Sequence, residues 1–120
     1  MPEPLSQNEY WNGAAAERWI TGRELMDGSM ASITVAVLER AAARAGERVL
    51  DVGCGCGTTS LLLAERVAPD GAVVGIDISA PMVEVARARA AGAPVAIEFV
   101  VADAASHRFS APFDLLFSRF

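Results

Sequence analysis

Lysine is absent from this sequence: all ten basic residues are arginine, set against fifteen acidic residues, for a formal net charge of −5. An acidic chain with scattered arginines lacks the basic patch that non-specific nucleic-acid binding needs. Cysteine is almost absent. Cys54 and Cys56 stand one residue apart and close no loop worth stapling. A structural zinc site wants four ligands, usually with two to four residues between paired cysteines. Cys-x-Cys and one remote histidine, His107, do not supply that set, so no metal is expected. Redox chemistry by the pair is not expected either. Long apolar runs are missing too: none reaches the roughly 18–20 residues of a membrane span. The N-terminus, MPEPLSQNEYWNG, has no basic region followed by an apolar stretch, so it does not read as a secretory signal. Together these absences predict a reducing, cytoplasmic setting, with neither a nucleic acid nor a membrane as partner.

What is present suits one globular domain: 120 residues, 52% hydrophobic, enough for a core. Residues 1–8 are polar, carry two prolines and read as loose. Tyr10–Ile20 has a helical pattern. A longer helix is expected from about Arg23 to Ala45, with Met26, Met30, Ile33, Val37 and Ala41 on one apolar face and Gly46 as its stop. The methionines, with Trp11 and Trp19, belong either to the core or to an acceptor pocket. After Gly46 the period changes. Arg48–Val52 reads as a buried strand and Thr58–Val67 as a helix with Thr58 or Thr59 as N-cap. Ala72–Asp77 is a second strand. Ser79 caps a helix over Ala80–Ala91, with Pro81 in its first turn. Val95–Val101 and Pro112–Ser118 complete the set. This divides the chain into a helical cap (1–46) and an α/β part (47–120).

Apolar strands alternating with helices imply a parallel, doubly wound, Rossmann-like sheet. Ligands of such sheets bind beyond the carboxyl ends of the strands. The first end reads Asp51-Val-Gly53-Cys54-Gly55-Cys56-Gly57, where glycine allows a tight turn and a close approach of backbone to ligand. The second end carries Asp77. A carboxylate there can accept both hydroxyls of a ribose, each charged hydrogen bond contributing about 1.5–3 kcal/mol. The third carries Asp103, placed to accept from the exocyclic amine of an adenine. His107, in a polar connection, reads as a solvated loop residue.

VLDVGCGCGTTSLLLA, VVGIDISAPMVEVARARA, VVADA and FDLLFSRF, taken in order, resemble the class I S-adenosylmethionine-dependent methyltransferases, in particular the ubiquinone- and menaquinone-biosynthesis type. The resemblance runs from about Arg48 to the end, and YWNGAAAERW is similar to the N-terminal helix of several such enzymes. It implies S-adenosylmethionine as cofactor and a strand order of 3-2-1-4. Gly53, Cys54, Gly55 and Gly57 would line the cofactor, and Asp51 would help to hold its amino group. Asp77 would take the ribose hydroxyls, Ile78 and Met82 the adenine face, and Asp103 and Ala104 the adenine edge. Ser118 would lie near the methionine part, and Tyr10 and Trp11 would close over the site. The acceptor would be a small molecule. No residue is assigned a catalytic role, since the family's chemistry needs a base only when the acceptor must lose a proton.

The family's sheet continues beyond four strands, so the chain is expected to be the N-terminal part of a longer enzyme, inactive alone. The open edge of the fourth strand, or the N-terminal helices, would then favour a homo-oligomer. Two rivals remain. A dinucleotide oxidoreductase wants G-x-G-x-x-G/A, but the sixth position from Gly53 is Thr58. A P-loop is excluded for want of Gly-Lys-Ser/Thr. The other rival is a non-catalytic interaction module on the same fold. A pure scaffold has no evident need of Asp51, Asp77 and Asp103.

Overall fold

A computed structural model describes residues 2–119. Three helices, α1 (Gln7–Asn12), α2 (Ala14–Ser29) and α3 (Ala31–Ala41), lead into an alternating part. That part comprises β1 (Arg48–Val52), α4 (Thr58–Val67), β2 (Ala72–Asp77), α5 (Ala80–Arg89), β3 (Ile97–Val101) and β4 (Leu115–Phe117). All strand pairs are parallel and the sheet order is β3-β2-β1-β4, as the resemblance implies. β1 and β2 begin and end where the apolar runs predict. No described helix is long and apolar enough to cross a membrane.

The leading helices differ from the periodicity. α1 starts at Gln7 because Ser6 and Glu9 form a capping box: Ser6 Oγ accepts the Glu9 N–H at 3.2 Å, and the Glu9 carboxylate accepts the Ser6 N–H at 2.9 Å. The Ser6-Gln-Asn-Glu9 spacing is itself the signal, in a stretch whose composition reads as loose. Breaks fall at Gly13 and Met30. The buried stripe of α3 runs through Thr34 and Leu38, while Ile33, expected on that face, is 49% exposed. α3 stops at Ala42, not at Gly46; Ala42 is left-handed (φ 50°) and gives its N–H to Leu38 O at 3.1 Å.

One face of the sheet holds the main core. Val49, Val73 and Phe117 pack there against Leu63 and Val67 of α4 and Leu38 of α3. Toward β3, Cys54 and Phe99 meet Val83 and Ala86 of α5. The other face, with Leu50, Val74 and Ile76, is covered by Phe109 and Phe113 from the β3–β4 connection. His107 stacks edge-to-face on Phe109 at 4.7 Å and is half-buried, not a freely solvated loop residue.

Neither Thr58 nor Thr59 caps α4. Gly57 is the N-cap, with φ +88°, and a Cβ there would lie 2.9 Å from that of Ala86, so only glycine fits. Thr59 serves β1 instead. Its hydroxyl and that of Ser60 both donate to Asp51 Oδ2 at 2.7 Å. Asp51 is 1% exposed, and its Oδ1 has no hydrogen-bond partner among the described residues. Burial pushes its carboxyl up to about 6, against the hydrogen bonds from Ser60 and Thr59, which pull it down.

Two predictions follow from these local conflicts. Ala42→Gly relieves a left-handed alanine and should stabilise the chain by about 1 kcal/mol; an unchanged or lower denaturant midpoint would contradict this. For Asp51, the folded carboxyl holds its proton to higher pH than the unfolded one, whose ordinary value is 3.8. Between about pH 4 and 6 the folded state therefore binds more protons, and stability falls as pH rises. Asp51→Asn should remove that slope and stabilise the chain at pH 7.5 by about 1–2 kcal/mol. Denaturation curves at pH 4.5 and 7.5 test it; a flat wild-type profile, or an Asn variant weaker at pH 7.5, would refute it.

Candidate functional site

The carboxyl ends of β1, β2 and β3 open on one cavity of about 320 Å³. Its floor is the β1–α4 loop: Val52, Gly53, Cys54, Gly55, Cys56 and Thr58. One wall is Ile76, Asp77, Ile78 and Met82; another is Ala102, Asp103 and Ala104. Trp11, Trp19 and Asp27, from α1 and α2, close the remaining side with Arg119.

Asp77 ties two of these segments together. Its Oδ2 accepts the Gly55 N–H and its Oδ1 the Ser79 N–H, both at 2.9 Å. An ionised carboxylate offers about four acceptor directions, so both oxygens keep capacity for a ligand. The glycine loop it holds is left-handed at Gly53, Gly55 and Gly57 (φ 73°, 52° and 88°). A Cβ at Gly55 would lie 2.9 Å from Met82 Cε. At φ 52° a side chain at Gly55 would be strained, so the backbone there lies bare against the cavity.

Asp103 shapes the third strand end in the same way. Its Oδ1 accepts the Ala105 N–H at 2.9 Å, turning the chain back at Ala104. At the opposite end of the cavity stands a charged cluster. Thr58 Oγ1 donates to Asp27 Oδ2 at 2.6 Å, Arg119 lies 3.6 Å from Asp27 Oδ1, and Arg89 donates to Cys56 O and Thr58 Oγ1 at 2.7 and 3.1 Å. Arg119 also donates to Thr34 Oγ1 at 3.1 Å.

The lining therefore carries three carboxylates, Asp27, Asp77 and Asp103, against one guanidinium, Arg119. That balance favours a ligand with positive charge and opposes a phosphate. A dinucleotide would rest its pyrophosphate on the N-terminus of the first helix after β1. Here the Asp27 carboxylate already approaches that position through Thr58.

Of the residues picked out from sequence, Trp11, Gly53, Cys54, Gly55, Asp77, Ile78, Met82, Asp103 and Ala104 line the cavity. Four do not. Asp51 lies beneath the loop, bonded to Thr59 and Ser60. Gly57 is buried at the start of α4. Ser118 gives its hydroxyl to Val52 O at 3.0 Å. Tyr10 is 42% exposed and faces an outer hollow with Arg18 and Met26. One residue along α1 turns the side chain by about 100°, which is why Trp11 and not Tyr10 reaches the cavity.

Sequence reasoning missed Asp27, Cys56, Thr58 and Arg119 as lining residues. Nothing local marks Asp27; it becomes a site residue only when α2 packs on α5 and brings it to Thr58 at the start of α4. The two cysteines are packing groups. Cys54 lies against Val83 and Phe99, and Cys56 against Ala16 and Met82. Burial pushes both thiols up, away from the reactive thiolate. Among the described residues no three His, Cys, Asp or Glu side chains converge on a metal-sized site.

Known proteins share this arrangement. The family described as "Methyltransferase domain" matches residues 49–120. Demethylmenaquinone methyltransferase of Symbiobacterium thermophilum is 55% identical over 51 residues, 42% of this chain and 20% of that protein. Phosphoethanolamine N-methyltransferase 1 of Arabidopsis thaliana is 40% identical over 83 residues, 68% of this chain and 16% of that protein. The chain thus spans a fifth or less of these relatives. The crystal structure of a SAM-dependent methyltransferase from Thiobacillus denitrificans, in complex with S-adenosyl-L-homocysteine, superposes with a TM-score of 0.57. It is 29% identical, over 69% of this chain and 34% of that one. With its parallel 3-2-1-4 sheet, glycine loop and strand-end acids, the chain belongs to the methyltransferase-domain family.

Proposed function

We propose that this chain is the cofactor-binding part of an S-adenosylmethionine-dependent methyltransferase acting on a small-molecule acceptor. One observation carries the reading. Three carboxylates and a bare glycine loop line a single cavity at the strand ends, which suits a nucleoside bearing a cationic centre and disfavours phosphate.

The residues fit that ligand in order. Asp77 holds its loop with one direction of each oxygen and keeps the others for the ribose hydroxyls. Ile78 and Met82 offer apolar surface to the adenine, and Asp103 and Ala104 its polar edge. Gly53, Cys54 and Gly55 present backbone to the methionine part. Asp27 and Arg119 carry the charges that complement an amino acid's ammonium and carboxylate. Asp51, below the loop, contributes negative charge toward the ammonium from an oxygen that has no partner among the described residues.

When bound, S-adenosylmethionine supplies an already activated methyl group. The work left to the protein is alignment and exclusion of water, and holding reactants in place can lower a barrier by about 7–11 kcal/mol. Trp11 and Trp19, packed edge-to-face at 6.0 Å, wall the cavity on its N-terminal side and serve that exclusion. The small-molecule acceptor rests on the relatives, whose names refer to demethylmenaquinone and phosphoethanolamine.

Calorimetric titration with S-adenosylhomocysteine tests the reading. One-site binding is expected, weakened at least tenfold by Asp77→Ala, since charged hydrogen bonds contribute about 1.5–3 kcal/mol each. An alanine variant of equal affinity would defeat it, and so would a folded wild-type chain that does not bind, the result that favours the scaffold reading.

A further inference from the structure

Asn12, the last residue of α1, reaches across the rim of the ligand cavity to the β2–α5 turn. Its Nδ2 donates to Ile78 O at 2.8 Å, and its Oδ1 accepts the Ala80 N–H at 3.0 Å. A second donor direction of Nδ2 returns to Asn8 O at 2.7 Å, which fixes the carboxamide on its own helix.

The position of this fork matters more than its strength. The Ser79 N–H goes to Asp77 Oδ1. Three consecutive residues of the β2–α5 turn are therefore held by two side chains, Asp77 from inside and Asn12 from outside. Trp11, next to Asn12, and Ile78, whose carbonyl Asn12 holds, both line the cavity. The carboxamide thus ties together two walls of the cavity that come from distant parts of the sequence.

Only a carboxamide does this. It presents a donor and an acceptor side by side; a carboxylate would set an oxygen against the Ile78 carbonyl. The fork is also solvent-exposed, so opening it lets water replace the lost partners and costs little.

Resting on the cofactor reading above, we propose that Asn12 is a positioning residue of the ligand site. It latches α1 to the β2–α5 turn, and a bound nucleoside leaves when this fork opens. The latch acts on release more than on entry.

The test is stopped-flow tryptophan fluorescence on the full chain with S-adenosylhomocysteine, reading Trp11 and Trp19. Asn12→Ala should speed release about tenfold, the effect of losing one to two exposed hydrogen bonds, with association nearly unchanged. Asn12→Asp should speed it at least as much. Asn8→Ala, on the same helix, should leave release as in wild type, because only its backbone carbonyl is used. In the ligand-free chain, the Ala80 N–H should exchange with deuterium faster in Asn12→Ala than in the wild type. That measurement needs neither ligand nor turnover. Wild-type release rates in both Asn12 variants, or an Ala80 amide that exchanges at the same rate in the wild type and Asn12→Ala, would overturn the proposal. A merely structural role would lower the melting temperature of Asn12→Ala and leave release unchanged, which also overturns it. No binding by the wild type at all defeats the cofactor reading itself, and the latch falls with it.

Discussion

The carboxylate of Asp77 is the constraint on which the site depends. It stands at the end of β2 and takes one amide from the β1–α4 loop and one from the β2–α5 turn. Hydrogen bonds to a charged acceptor are roughly twice as strong as neutral ones. A loop with three left-handed glycines has much freedom to lose on folding, and this anion gives it one shape. The register of β1 with β2, Asp51 opposite Gly75 and Val52 opposite Ile76, brings the loop within its reach. Sheet geometry, loop shape and ligand recognition therefore meet at one side chain.

The sheet supplies only part of the enclosure. α1 and α2 add two indoles and a carboxylate, and they are held at two separated points. Asn12 binds the β2–α5 turn, and Asp27 meets Thr58 and Arg119 near the start of α4. Between these points the helices lean on Met82 and Cys56 through Ala16, which is fully buried. This arrangement explains the alanine at position 16: its small side chain lets α2 approach the glycine loop closely at Cys56. It also accounts for Cys56, a small apolar residue where a larger one would push α2 away.

Much of this was legible in the sequence. β1 and β2 are apolar on both faces and end at a glycine loop and an acid, so both their limits and the convergence of Asp77 and Asp103 could be read from pattern alone. The strand order came from family likeness, since pattern does not rank parallel strands. The N-terminal third was the least legible. Its helix breaks at Gly13 and Met30 depend on how α1 and α2 dock, and helical periodicity continues through them. Of the two aromatics expected over the site, Trp11 lines the cavity and Tyr10 faces the outer hollow, a difference that appears only once packing fixes the helix phase. Asp27, Asn12 and Arg119 are unremarkable in sequence; each gains its role from a partner 31 to 85 residues away. The N-cap of α4 went to Gly57 because Thr59 was needed by a buried carboxylate, a competition that local propensity does not see.

The central claim is that the strand-end cavity holds a nucleoside with its adenine between Ile78 and Met82 on one side and Asp103 on the other. Intermolecular NOEs from S-adenosylhomocysteine to the labelled chain test it most directly. The account predicts contacts from the adenine protons to the methyl groups of Met82 and Ile78, and none to Tyr10 or Met26 of the outer hollow. Contacts confined to that hollow, with Met82 and Ile78 silent, would contradict it.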